Sequence, residues 1–569
     1  MVETVIPAKS TPDPVKNPGL WAFSKRYAFP LWAWYLAGFL ALAATNWVTL
    51  EIPQLAKSIV DRLAAGEDPL SGKSIALMII GLGVLQIVIR STSRILIFWP
   101  GRTIEAVSKT DLFTRCLTLP QAFLLKFGMG DLISRLANDV GQLRVFFAFG
   151  LLQIANLVFL VIFTISRMMS VHVGLTLAAI APLALMLLIT RWAMPRMQYW
   201  SRMNQEAIGR LTNRVTEAFV NVHVIQANAA ENAFVGRMDE ENSEVYRTNM
   251  KLVLVRNVIF PLMNCLAGLA QVFVLYYGGW EVIQGRITVG DIMAFNVYIG
   301  FLSFPLTAVG MILAMWQRAR TAVERTWELD LAEPERALPP SLVTSKSETE
   351  SAPLLEVRSL TWKWPGRDKP LFENLSFSLR DGERIGIMGA IGTGKTTLFN
   401  MITRVQDPPL GTIFWKGRDV LEIEPAELRR NIGYAQQTVH LFSDTIANNL
   451  AWGLPPDQRN LDSLKTAAKK AEILAEIEHF ASGWNTEIGE KGLRLSGGQK
   501  QRLALARVLA RRPRLMILDD VLSAVDHETE AKLIQTFRSI GCTLMIASHR
   551  PSVLKECQKS LDLTRPQLI

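Results

Sequence analysis

The sequence predicts a multidomain membrane protein: an all-α transmembrane part of six helices, followed by an α/β domain with a largely parallel sheet. Three observations carry this reading. Six long apolar segments precede residue 320, the chain changes character abruptly over 332–353, and beyond it short apolar strands alternate with helical stretches. The bulk numbers agree. A chain of 569 residues is too long for one compact core. It is 49% hydrophobic with a mean hydropathy of +0.20, yet 20% of its residues are charged. Very apolar segments beside a normally polar part explain that combination.

The elements follow in order. Residues 1–19, "MVETVIPAKSTPDPVKNPG", are polar and Pro-rich, with no short apolar core before a small-residue cleavage site. They read as a mobile cytosolic tail and not as a signal peptide. The first domain is expected over 20–331, with helices near 31–53, 75–99, 145–168, 171–194, 253–279 and 290–316. Each segment is long enough to cross a hydrocarbon core of ~30 Å. The third and fourth are separated by little more than "MMS", a tight hairpin. The gaps after the second and fourth are long and basic, with Arg102, Lys109, Arg115, Lys126, Arg135 and Arg144 in one and Arg196, Arg202, Arg210, Arg214 and Arg237 in the other. Positive charge on the inner side puts both gaps, and with them both chain ends, in the cytoplasm. The helices are expected to continue beyond the bilayer there. Within the apolar segments Arg90 and Arg94 share one helical face, joined by Asn46, Glu51, Asn264 and Gln271. Such groups face a bundle interior or a cavity, or serve packing and snorkelling.

Residues 332–353 read as a linker, and 354–569 as the second domain. The net charge of +10 suits nucleic acid or an acidic membrane surface, and the apolar segments favour the membrane. No nucleic-acid partner is expected. Cys116, Cys265, Cys542 and Cys557 are scattered, which argues against disulfides or a zinc site.

The chemistry is concentrated in the second domain. "GAIGTGKT" joins an apolar strand (Ile385 to Met388) to a helix-like run, in the pattern GxxxxGK[ST]. Gly389, Ala390, Ile391, Gly392, Thr393 and Gly394 would let backbone N–H groups approach phosphates. Lys395 adds a charge for the outer phosphates, the Thr396 hydroxyl a ligand for Mg²⁺, and Thr397 continues the helix start. Trp364, before a Pro-Gly turn, could stack on adenine or pack in the core. Ser496-Gly497-Gly498-Gln499 opens a basic amphipathic helix, a second anion-binding terminus. One ATP does not need two from one chain, so this one is read as closing over the ATP of a second subunit. Finally "LMILDD" delivers Asp519 and Asp520, which strand alternation would turn to opposite faces.

In this order the motifs resemble the nucleotide-binding domain of ATP-binding cassette (ABC) transporters, and the part before them an exporter-type transmembrane domain. The likeness runs from about Leu20 to the end and is nearest to bacterial half-transporters of the MdlA type. It implies a P-loop ATPase of ABC type that binds ATP and Mg²⁺ and drives an exporter of amphipathic drugs or lipids. A soluble DNA-associated ATPase is excluded by the membrane segments. By this resemblance Gln437 lies in the Q-loop and senses Mg²⁺, Thr486–Gly492 is the X-loop, and Ser523–Asp526 is the D-loop, with Asp526 among the nucleotide contacts. His549 is the switch histidine, and Trp364 takes the adenine-stacking position. Leu119–Val140 resembles the first cytoplasmic loop, with its coupling helix near Pro120–Phe127. Arg210–Ala227 resembles the second, and Gly278–Phe295 the turn between the last two helices.

Two departures stand out. The family places a glutamate, the general base, where this chain has Asp520. Asp is one methylene shorter, and a retreat of roughly 1 Å can cost on the order of 100-fold in rate. The expectation is a weakly hydrolytic site in a heterodimer whose other chain carries the glutamate. The alternatives are a homodimeric lipid flippase of the MsbA type and a regulatory ATP-binding subunit. The second departure is that only twenty residues follow His549, where family members continue through another strand pair and a helix.

Overall fold

A computed structural model of the chain describes residues 19–66, 73–124, 126–334, 352–364, 369–489, 495–564 and 567–568. The predicted N-terminal tail and most of the linker lie outside these residues, as do residues 490–492 of the X-loop. The chain divides into two compact units, Met1–Leu117 with Met129–Ala332, and Thr118–Gly128 with Glu333–Ile569. The stretch Thr118–Gly128, read above as part of the first domain, thus groups with the second unit. It contains the short helix Gln121–Leu124, inside the span expected for the first coupling helix.

The first unit is helical. Among the described residues five helices are long and apolar enough to cross a membrane: Leu20–Ala64, Lys73–Thr118, Met129–Val171, Val173–Val220 and Glu231–Ile283. A sixth, Val289–Leu331, begins with the apolar stretch Val289–Leu302. Five of the six expected segments fall inside these helices; the fourth, 171–194, overlaps its helix only from Val173. The fourth and fifth have 48 and 53 residues. At a rise of 1.5 Å per residue that is about 70–80 Å, more than twice the hydrocarbon thickness. The cytoplasmic extensions expected from the basic gaps are therefore continuous helix. The break near Asn221, followed by the helix Val222–Ala227, falls within the second predicted loop.

The hairpin between the third and fourth helices differs from the expectation. Residues 168–170 are still helical, and the turn is made by His172 alone, in extended backbone (φ −157°, ψ 115°). Its Nδ1 accepts a hydrogen bond from the Leu175 N–H at 3.1 Å and caps the fourth helix. The last turn uses ordinary punctuation. Gly285 ends the fifth helix at φ +69°, and Thr288 starts the sixth through a reciprocal capping box with Asp291. Charged groups bind the third helix to the sixth: buried Arg135 donates to Glu328 at 2.7 Å, and Arg325 pairs with Asp139 at 3.0 Å.

The second unit is α/β. One sheet is antiparallel, in the order β2-β1-β4-β5: β1 Leu355–Trp362, β2 Phe372–Leu379, β4 Ile413–Trp415 and β5 Arg418–Asp419. The other has the order β10-β9-β3-β8-β7-β6, with β3 Arg384–Met388, β6 Ile432–Ala435, β7 Leu515–Asp519, β8 Thr543–Ala547, β9 Lys559–Asp562 and β10 Gln567–Leu568. All its pairs are parallel except β9 with β10. Alternation along β7 buries both faces. Leu515 and Ile517 enter one core with Phe399 and Val357, while Met516 and Leu518 enter another with Leu505 and Leu533. The strand pair that the short end after His549 was expected to lack is present as β9 and β10, with β9 hydrogen-bonded to β3.

Candidate functional site

In a parallel sheet the strand ends that share a side form a natural ligand crevice. Here β3, β7 and β8 deliver three pieces of chain to one edge. β3 runs into the glycine loop, β7 ends at Asp519, and His549 follows β8 by two residues. The register places Asp519 beside Ala547.

The glycine loop needs its glycines for stated reasons. Gly389, Gly392 and Gly394 have φ of +147°, +85° and +98°. A Cβ on Gly394 would lie 2.8 Å from Leu371 and 2.9 Å from Phe372. The loop then opens the helix Lys395–Ile402, whose first N–H groups have no intrahelical partner. Lys395 Nζ folds back on this loop. It donates to the carbonyl of Gly389 at 2.6 Å and of Ala390 at 3.1 Å, and lies 3.5 Å from His549 Nε2.

Thr396 Oγ1 donates to Asp519 Oδ2 at 2.7 Å, and the Tyr434 hydroxyl donates to the same oxygen at 3.4 Å. Burial pushes the Asp519 carboxyl above the usual carboxylate range. The Thr396 hydrogen bond opposes that shift, and the adjacent charge of Asp520 adds to it. A hydroxyl and a carboxylate this close are a suitable oxygen pair for a hard divalent cation, so Mg²⁺ fits here. Burial also raises Asp520, against the pull of His549, Lys395 and Arg550.

The two acids do not face opposite ways. Strand β7 ends at Asp519, and Asp520 has a left-handed backbone, φ +50°. Its N–H donates to the Ala547 carbonyl at 3.0 Å. Alternation stops where the strand stops, so both carboxylates line one pocket. That pocket has a volume of about 320 Å³. It brings together Trp364 with Ile391 to Thr397 of the loop and helix start, and joins to them Gln437, Asp519, Asp520 and His549. Trp364 stands edge-on to Trp362, with ring centroids 4.6 Å apart, and is 41% exposed, open to a flat ligand.

Two groups in or beside this pocket escaped the sequence reading. Leu371 lines it beneath Gly394, and nothing in the sequence marks that role. Tyr434 carries the only side-chain hydroxyl of β6 (Ile-Gly-Tyr-Ala) and, partly buried, needs a partner. That need was the available signal.

Ser496 to Gln499 and Asp526 do not line this pocket. Ser496 caps the helix Gly497–Ala510: its Oγ accepts from the Gln499 N–H at 3.2 Å, and Gln499 Oε1 accepts from the Ser496 N–H at 2.9 Å. Gly498 lies against the Ala524 carbonyl, where a Cβ would come within 2.7 Å. Gln501 bridges to the same turn, donating to Ser523 Oγ at 2.9 Å and accepting from the Ala524 N–H at 3.0 Å. Asp526 caps the next helix, His527–Ser539, through the Thr529 N–H. Arg550, beside His549, pairs with buried Glu530 and donates to the carbonyls of Ser523 and Val525. The LSGGQ terminus and the turn 523–526 thus form one braced surface apart from the pocket.

Comparison with known proteins agrees with this architecture. Residues 35–306 match the family model of the ABC transporter transmembrane region, and residues 372–523 match that of the ABC transporter. The chain is 29% identical over 538 residues to the probable multidrug resistance ABC transporter ATP-binding/permease protein YheI of Bacillus subtilis, spanning 92% of this chain and 89% of that protein. It is 28% identical over 538 residues to the multidrug resistance-like ATP-binding protein MdlA of Escherichia coli, spanning 93% and 89%. It is also 28% identical over 546 residues to an ATP-dependent lipid A-core flippase of Thiobacillus denitrificans, spanning 95% and 93%. A solved bacterial Atm1-family ABC exporter with ATP bound superposes with a TM-score of 0.77 at 24% identity, covering 93% of this chain and 94% of that one. That last likeness concerns the fold.

Proposed function

The chain belongs to the ABC transporter family, as an exporter half-transporter with fused transmembrane and ATP-binding domains, and from that premise we propose that it works as the weakly hydrolytic half of a heterodimeric exporter. Its cargo is hydrophobic or amphipathic, a drug or a lipid, moved out of the cytoplasm or inner leaflet of the cell membrane. The observation that carries the heterodimer is Asp520 at the position of the general base, one methylene short and held at φ +50°.

When bound, Mg²⁺ supplies charge neutralisation for the phosphates. The rest falls to the chain's own groups. The amides of the Gly389–Gly394 loop and Lys395 hold the phosphates, and Trp364 stacks on the adenine. Thr396, Asp519 and Gln437 hold the metal. His549 and Asp520 address the terminal phosphate and the attacking water. Ser496, Gly497, Gly498, Gln499 and Asp526 complete the site of the partner, which carries the glutamate. ATP favours the closed arrangement only by as much as it binds that arrangement better than the open one.

A second reading, a homodimeric lipid flippase, is supported by the similarity along 95% of the chain to a lipid A-core flippase and by the position of Asp520 inside the ATP pocket. Purification separates the readings. The heterodimer reading predicts slow ATP turnover by the chain alone, faster turnover with its native partner half, and ATP-dependent uptake of a fluorescent amphiphile into inverted vesicles that Lys395→Ala abolishes. Fast turnover by the chain alone favours the flippase. Uptake that ignores Lys395→Ala contradicts both.

A further inference from the structure

The surface made by the LSGGQ terminus and the turn 523–526 has a third contributor. The short helix Leu474–His479 reaches it through Glu476. Gln499 Nε2 donates to Glu476 Oε2 at 2.8 Å, and Glu476 Oε1 pairs with Arg502 Nη1 at 2.6 Å. The same Arg502 nitrogen donates to the Glu472 carbonyl at 2.7 Å. The Arg502 side chain is largely buried and the Glu476 side chain only partly so.

This contact decides how the Gln499 amide is used. Its Oε1 accepts from the Ser496 N–H at 2.9 Å. With Nε2 on the Glu476 carboxylate, both ends of the amide are held inside the chain. Chemistry fixes its orientation: a flipped amide would set its oxygen against a carboxylate and its nitrogen against an N–H. A hydrogen bond to an ionised acceptor is also roughly twice as strong as one between neutral groups. The Gln499 N–H is engaged by Ser496 Oγ. What the terminus has left for an anion is the Ser496 hydroxyl proton and the N–H groups of Gly497 and Gly498, which open the helix and have no intrahelical acceptor.

Those donors are held on two flanks. Gly498 lies against the Ala524 carbonyl on one, and Glu476 grips Gln499 on the other. A bare carboxylate beside a phosphate-binding terminus would repel a polyphosphate. Arg502 balances it, so Glu476 supplies an acceptor while adding no net charge. On the reading above, in which this terminus completes the ATP site of the partner, we infer that Glu476 is a positioning residue. It fixes Gln499, and through Gln499 the Ser496–Gly498 donors that meet the phosphates. Gln499 then serves the site by shaping it and not as a nucleotide ligand.

The test uses the full chain with its native partner half in lipid nanodiscs. It reads steady-state turnover against ATP concentration, at a temperature where thermal unfolding shows every variant folded. Glu476→Ala is expected to lower kcat/KM on the order of tenfold, chiefly through KM, because the carboxylate acts through Gln499. Glu476→Gln still accepts from Gln499 and keeps most of the affinity. Gln499→Glu sets two carboxylates face to face and raises KM further. Adding Glu476→Gln to it restores the hydrogen bond with donor and acceptor exchanged, and recovers most of the loss. Glu478→Gln, at an exposed carboxylate on the same short helix, changes nothing. A merely structural bond would lower the active fraction, reading as reduced kcat at unchanged KM. That result overturns the proposal. So does a Gln499→Glu defect that Glu476→Gln fails to repair, the outcome expected of a direct nucleotide ligand. Ser496→Arg, which blocks the terminus with bulk, separates this failure from that of the reading it rests on. Turnover indifferent to Ser496→Arg refutes a partner-completing surface, and the positioning role with it. Turnover lost in Ser496→Arg but indifferent to Glu476→Ala refutes the positioning role alone.

Discussion

Thr396 Oγ1 donates a 2.7 Å hydrogen bond to Asp519 Oδ2, joining the start of the phosphate-loop helix to the end of the central strand β7. On the proposed reading these two oxygens hold a divalent cation. Thr396→Val removes one of them without changing the packed volume. Metal affinity in ATP binding is expected to fall on the order of 10- to 100-fold, with stability changed by about 1 kcal/mol. Turnover as a function of free Mg²⁺ measures the first effect and thermal unfolding the second.

Gly394 closes the glycine loop at φ +98° with Leu371 and Phe372 at its back. Gly394→Ala forces both a strained backbone and a clash. A cost of about 1–3 kcal/mol is expected, together with loss of ATP binding. Equilibrium binding of a fluorescent ATP analogue reads the loss directly.

Ser496 caps the LSGGQ helix in a reciprocal box with Gln499. Ser496→Ala is expected to destabilise the chain by about 1 kcal/mol, an apparent Tm decrease of about 2–4 °C for a domain of this size. If the braced surface completes a partner's ATP site, turnover of the assembled dimer falls further than this stability loss explains. ATP binding by the variant's own pocket is unchanged.

Glu530 gives a pH prediction. Burial alone would raise its carboxyl, but the hydrogen bonds from Ser552 and Arg550 outweigh burial and hold it below the usual range. A carboxyl depressed in the folded state adds stability above its unfolded pKa, about 4.3. That stability is lost as pH falls through the folded value. Acid unfolding of the wild type should therefore lose more stability below about pH 4.3 than that of Glu530→Gln. The glutamine variant should be the less stable of the two at pH 7, where Arg550 loses its counter-charge.

Much of this site was legible because it is local. GAIGTGKT, LSGGQ and the apolar strand before Asp519 each carry their geometry within a few residues, and Trp364, Lys395, Gln437 and His549 line one pocket. The failures come where the outcome depends on chain reversal or on remote packing. Period-two alternation put Asp519 and Asp520 on opposite faces, but a positive φ at Asp520 returns both to one pocket. The hairpin between the third and fourth helices turns on His172, a residue whose capping role is visible only once Leu175 is placed. Leu371 reaches the site because β2 brings its neighbour Phe372 beneath Gly394, a long-range contact with no sequence mark. Likewise Asn264 and Gln271 share the apolar length of their helix with its core residues but not their face.

The central claim is that Asp520 leaves this chain's own site slow. The most direct measurement is steady-state ATP turnover of the purified full chain in lipid, wild type beside Asp520→Glu and Asp520→Asn. The account predicts slow wild-type turnover, a rise on the order of 10- to 100-fold in Asp520→Glu as the carboxylate regains about 1 Å of reach, and little further loss in Asp520→Asn. Fast wild-type turnover that Asp520→Glu does not raise and Asp520→Asn abolishes would contradict it.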